Sequence, residues 1–129
     1  MNRWTRFGLI AAVLAGAIYL IRPFIPYVEF ALPFNKGAWL ALEDTRFDDF
    51  LHVRGHMAYG LIQSRRLVGM SRDQVVALLG PPPPTDKFGD WDIVYWLGPD
   101  TTTIPMDSEW LVMRLGAGGQ VSEARLVED

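Results

Sequence analysis

The sequence contains no cysteine. That excludes disulfides, thiolate nucleophiles, cysteine-ligated metals and a cysteine-linked lipid anchor. It leaves the redox compartment open, because a cysteine-free domain is tolerated in either kind. Histidine is scarce as well, with only His52 and His56. Hydroxyls are available at Ser64, Ser71, Ser108 and Ser122, but none stands in a nucleophile elbow and neither histidine has a triad context. No basic run is longer than Arg65-Arg66, and beyond Arg22 nine basic residues stand against fifteen acidic ones, a balance of −6. Such a chain lacks the positive footprint that a nucleic-acid partner requires.

What is present begins with an apolar leader. Phe7 to Ile21 is fifteen residues without a charge, preceded by Arg3, Trp4 and Arg6 and closed by Arg22. One reading is a cleaved signal peptide with its small-residue site at Ala15-Gly16-Ala17. The other is an uncleaved anchor over residues 4–25. Fifteen residues rise only about 22 Å against a hydrocarbon core of about 30 Å, so the span requires Trp4 at one end and Ile25 at the other, with Arg22 snorkelling. Trp4 and the aromatics Phe24, Tyr27 and Phe30 resemble two interfacial belts. Cleavage would leave the apolar run Ile18-Tyr19-Leu20-Ile21 at the new terminus, which favours the anchor. A buried helix is the third reading. Flanking Arg3 and Arg6 place the N-terminus inside and the rest outside.

The 129 residues have room for one domain. Residues 1–25 read as the anchor helix, 26–43 as an extended linker marked by Pro26, Pro33 and Gly37, and 44–129 as the domain. From Asp44, the spacing of Phe47, Phe50, Leu51, Met57, Ala58, Leu61 and Ile62 predicts a helix that Gly55 and Gly60 weaken. Ser71 with Gln74 three residues on forms a capping box for a helix over 72–79. Gly80 supplies a left-handed stop and Pro81 forbids continuation. Eight residues do not hold a helix alone, so Val75, Leu78 and Leu79 must pack on something. Pro81 to Pro84 favours polyproline II, as a rigid spacer or as a ligand for an aromatic groove. Strands are predicted over 91–97, 109–115 and 121–127, the last two joined by the glycine-rich turn 116–120. The fold class is α+β: an N-terminal apolar helix, then two helices packed on a three-stranded antiparallel sheet.

One motif carries a family likeness. Leu67-Val68-Gly69-Met70-Ser71-Arg72-Asp73-Gln74-Val75, followed by Leu78-Leu79-Gly80-Pro81-Pro82, resembles the opening motif of the BamE (SmpA/OmlA) family, and the last hairpin resembles its closing one. The likeness spans roughly residues 60–127. It implies two helices against a three-stranded sheet, as in the β-lactamase-inhibitor-protein superfamily. It also implies a bacterial envelope setting and a non-enzymatic binding or assembly role. Members of that family are held by an N-terminal lipidated cysteine, which this chain lacks. The expectation here is a single pass through the bacterial inner membrane with the domain outside the cytoplasm. The alternative is a periplasmic or secreted product cleaved near Ala17.

No catalytic residue, cofactor or metal site is predicted. His52 and His56 are four apart, with Asp48 or Asp49 one turn earlier, which is ligand spacing in principle and also ordinary for a solvated helix face. Asp86, Asp90, Asp92, Asp100, Asp107 and Glu109 match no calcium loop and read as turn formers. The aromatic concentration is the better lead. Trp91, Ile93, Tyr95 and Leu97 share one strand side and Trp96 lies on the other, so Trp96 and Trp110, with Tyr95, are the expected contacts for a protein partner. A secreted or anchored inhibitor is the alternative function, and a metal-dependent enzyme using His52 and His56 a third.

Overall fold

The computed structural model describes residues 3–21, 30–42, 52–99 and 107–129. They fall into two compact units, one holding the N-terminal helix and the other everything from residue 30 on.

The first unit is α1 (Arg3–Ile21). Leu9, Ile10, Val13, Leu14 and Leu20 each expose more than half of their surface. The charge-free part, Phe7–Ile21, rises about 22 Å. No helix among the described residues is long and apolar enough to cross a membrane.

The second unit contains α2 (Lys36–Ala41), α3 (Val53–Gln63), α4 (Arg72–Leu79), β1 (Ile93–Pro99), β2 (Ser108–Leu115) and β3 (Val121–Glu128). The strands form one antiparallel meander in the order β1-β2-β3. The α+β class and the three strands stand as the alternation and turn signals imply. The predicted helix from Asp44 is described only from Val53, and Phe47, Phe50 and Leu51 lie outside the described residues.

The core lies between the helices and one sheet face. Ile93, Tyr95 and Leu97 of β1 and Leu111 and Met113 of β2 meet Met57, Ala58 and Leu61 of α3 and Val75 and Leu79 of α4. The capping box forms as its residues require: Gln74 N donates to Ser71 Oγ at 3.2 Å, and Ser71 N donates to Gln74 Oε1 at 2.9 Å. Gly80 ends α4 at φ 84 and ψ 176, a positive φ as expected but with an extended ψ in place of the left-handed helical value.

Of the segment expected as a linker, residues 30–42 are described, and they pack into the domain. Asn35 Oδ1 caps α2 by accepting from Ala38 N at 2.9 Å. That short helix buries Trp39 completely in the core, with Leu32 and Phe34 packed beside it. Leu32 N donates to His56 O at 3.1 Å, which ties this segment to α3. Pro33 and Gly37 signalled an extended chain, yet burying one indole outweighs that local preference. Gly60 makes the approach possible, since a Cβ there would stand 2.4 Å from Leu32 O.

Trp39→Ala therefore removes a core residue and should lower the unfolding free energy by about 3–5 kcal/mol in urea titration. A chain beginning at residue 44 should show no cooperative transition. An unchanged midpoint in either would return residues 26–43 to the status of a linker.

Candidate functional site

The opposite sheet face carries a second, smaller apolar cluster. Val94, Trp110 and Val112 are buried there, with Phe88, Trp91, Trp96 and Val127 packed against them. Trp96 and Trp110 are directly paired in the β1–β2 register. Trp91 belongs to this cluster and not to the core face where alternation placed it. The strand begins only at Ile93, and Trp91 N donates to Phe88 O at 2.9 Å in the preceding bend, so the period of two does not extend back to it. Phe88 and Trp110 meet edge-on, 5.9 Å between ring centroids, and Arg114 lies 4.4 Å above Trp91. The face expected to be open is thus partly covered by its own loop. Trp110 retains 7% exposure and Trp96 is half-buried.

Tyr95 is not a surface contact. It is fully buried, and its hydroxyl donates to Gly80 O at 2.6 Å. Trp96 and Trp110, the other two expected contacts, lie together on the other strand face.

At the end of the sheet where α3 begins, four charged or titratable side chains are buried: His52, Arg54, His56 and Glu109, each under 5% exposed. The sequence is ordinary for two histidines on a solvated helix face and for Glu109 as a solvated turn former, but all three side chains are buried, and Glu109 belongs to β2 at the edge of the loop. His52 Nε2 stands 3.3 Å from Glu109 Oε2. His52 takes the left-handed conformation, φ 54 and ψ 40, where histidine is more tolerated than most residues. Its ring occupies a slot made by glycines. A Cβ on Gly55 would stand 2.3 Å from Nε2, and one on Gly98 3.8 Å from Nδ1. His56 stacks against Phe30, 3.7 Å between centroids, and Phe30 N donates to its Nδ1 at 3.4 Å. The two imidazoles are 6.0 Å apart and nearly perpendicular.

Among the described residues, no group of three His, Asp or Glu is placed to hold a metal ion. Asp48, Asp49 and Asp100 lie outside the described residues. In the turn before β1, Asp92 Oδ2 accepts from Leu115 N at 2.7 Å, while Asp86 and Asp90 are exposed.

Arg54 joins the polar cluster to the tryptophan face. Its guanidinium lies 4.2 Å above the Trp39 ring, and the residue also lines a pocket of about 400 Å³. Trp96, Trp110, Pro83, Pro84, Thr85 and Ser108 complete the lining. That volume lies in the lower range of small-ligand pockets. The proline run acts as a spacer in the chain and as a wall of this pocket. Arg54 gave no sequence signal, because a lone arginine in a weak helix pattern resembles any solvated one.

No family model, curated protein or solved structure matches the chain.

The slot around His52 is tight enough to test. Gly55→Ala should lower the unfolding free energy by about 1–3 kcal/mol through overpacking. Gly118→Ala, where a new Cβ meets nothing, should change it by less than about 0.5 kcal/mol. Equal effects in thermal or urea unfolding would mean that His52 moves aside freely.

Proposed function

We propose that this chain is a membrane-tethered, non-enzymatic protein-binding or assembly module of the bacterial cell envelope. The observation that carries the binding role is the pocket at the end of the sheet. It places paired indoles, prolines and a buried guanidinium at one surface opening. Aromatic and arginine side chains in a partly desolvated recess are the residue types that dominate protein recognition. The envelope setting rests on the likeness of the segment 67–82 to the BamE (SmpA/OmlA) motif. The capped α4 and the closing hairpin agree with that motif's local geometry, as they would in any protein using the same structural devices.

The tether rests on α1 and its flanks. Leu9, Ile10, Val13, Leu14 and Leu20 expose more than half of their surface, and lipid is a solvent in which they cost nothing. The charge-free stretch is too short to span, so the tether draws on Trp4 and on residues 22–25. Arg3 and Arg6 then stay on the cytoplasmic side.

Two measurements address the two parts. Full-length protein with a C-terminal tag should fractionate with the inner membrane at its intact mass, and protease added to spheroplasts should digest the domain. A soluble product beginning near Ile18 would remove the tether. For the binding role, a photo-crosslinking residue at position 96 should form a discrete protein adduct in cells, one at position 72 should not, and Trp110→Ala should abolish the adduct. Equal labelling from both positions would show that the pocket is not the contact surface.

A further inference from the structure

We propose that the outer edge of β3 takes up an extended segment of a partner protein as a fourth strand, with one apolar side chain of that segment seated in the pocket between β3 and the end of α3. The tryptophan pocket is lined by other residues, and neither assignment depends on the other.

The open edge follows from the ladder. β2 lies between β1 and β3, so β3 is bonded to the sheet on one side only. Asp129 N donates to Ser108 O at 3.2 Å, and the same register pairs Val127, Arg125 and Glu123 with Trp110, Val112 and Arg114. Hydrogen-bonded pairs alternate with non-bonded ones along an antiparallel pair. Ala124 and Leu126 therefore turn their N–H and C=O away from β2. Among the described residues, nothing donates to or accepts from those four groups. The chain itself uses the start of this edge. Val121 N donates to Met70 O at 2.7 Å, Gly69 N donates to Val121 O at 2.8 Å, and Ser71 bridges Gln120 in antiparallel sense. An added strand would extend that row, and an extended backbone is the ligand whose groups match an edge.

The pocket beside the edge sets which side chain fits. Leu61, Ile62, Leu67, Val68 and Ala124 give it apolar walls, and its volume is about 210 Å³. That lies below the range of small-ligand pockets, about 300–1,000 Å³, and suits a single side chain. Directly opposed residues share a sheet face, so a residue opposite Ala124 sends its side chain to the face where Ala124 meets the core. Arg65 supplies charge at the rim. It is exposed and makes no ion pair among the described residues, while Glu123 of the same pocket is engaged by Arg114 and Arg125. The fitting segment thus has an apolar anchor with an acidic residue on the same face.

A second copy of this chain fits the edge badly. Pairing Ala124 with the copy's Ala124 brings the copy's Val127 to the place where Gly69 and Met70 already bond Val121. Pairing Ala124 with Leu126 sets Arg125 opposite Arg125, and pairing Leu126 with Leu126 sets Glu123 opposite Asp129. Like charges directly opposed are destabilising, and charges along an edge commonly guard against self-pairing.

The test uses the full 15N-labelled chain in detergent micelles. Without a probe, amide hydrogen exchange should be fast at Ala124 and Leu126 and slow at Arg125 and Val127. The probes are three capped heptapeptides of threonine, with leucine, isoleucine or phenylalanine at the centre and glutamate two positions to either side. At least one should shift the Ala124 and Leu126 amides saturably and slow their exchange. Alanine at its centre should weaken binding about tenfold or more. N-methylation of the central residue should cost about tenfold or more, and of the next residue, whose N–H points away from β3, less than about threefold. Val68→Asp, at a position 40% exposed, should weaken binding about tenfold, and Arg65→Gln about two- to fivefold.

Slow exchange at Ala124 and Leu126 before any probe is added would show an edge already covered and overturn the site. So would the absence of a saturable shift up to roughly 10 mM, or equal affinity for the two N-methylated peptides. A concentration-dependent dimer that the peptides dissociate would give the edge to a second copy and overturn the partner segment. Peptide binding at this edge without a cellular adduct at position 96 would uphold the fourth strand and remove the tryptophan contact alone.

Discussion

The C-terminal end of α4 is the joint that the rest of the domain is built around. An eight-residue helix cannot persist alone, and its last carbonyls have no partner within the helix. Side chains from outside supply two of them and the carbonyl of the capping Gly80. Lys36 Nζ donates to Ala77 O at 2.6 Å, Trp39 Nε1 to Leu79 O at 2.9 Å, and the Tyr95 hydroxyl to Gly80 O at 2.6 Å. The lysine also sets a positive charge against the negative end of the helix dipole. Through these bonds α2, α4 and β1 are held at one point, and the apolar bodies of Trp39 and Tyr95 fill the core as their polar tips satisfy the helix. Trp39 and Tyr95 meet edge-on at 6.4 Å, so the two indispensable donors also support each other.

That joint has a consequence for the site. Trp39, fixed by its bond to Leu79 O, offers its ring to the guanidinium of Arg54. Arg54 in turn stands at the pocket with Trp96 and Trp110. The chain of contacts runs from a helix cap, through a core indole, to a cation at a surface opening. The polar cluster of His52, His56 and Glu109 sits at the same end, where α3 enters and β1 breaks register between Trp96 and Gly98. Gly55 and Gly60 lower helix propensity, yet they mark two places where α3 is closely approached, by the His52 ring and by Leu32. What reads in sequence as a weak helix is a helix cut to fit its neighbours.

Much of the fold is legible from residues alone, for local reasons. The capping box at Ser71 and Gln74, the stop at Gly80-Pro81 and the glycine-rich hairpin are contained within a few residues each, and each forms. Alternation in β1 separates Tyr95 from Trp96 correctly, because a strand period of two is a property of the backbone. It fails at Trp91, where the backbone bends before the strand starts. The pairing of Trp96 with Trp110 and the folding of Phe88 over Trp110 depend on register and on a loop, and neither has a local signature.

By itself the sequence determined an apolar N-terminal helix, an α+β domain with three antiparallel strands, a capped short helix, and a chemistry without thiols or a basic surface. Each follows from composition, periodicity or a motif shorter than one turn. Only the tertiary structure decided that residues 30–42 complete the core, that His52, His56 and Glu109 are buried, that Tyr95 is a core residue, and that Arg54 shares a pocket with two tryptophans. Those outcomes depend on contacts between residues far apart in the chain. A buried histidine and a solvated one look alike in sequence, and so do a linker tryptophan and a core one, until the surrounding fold determines which groups lose their water.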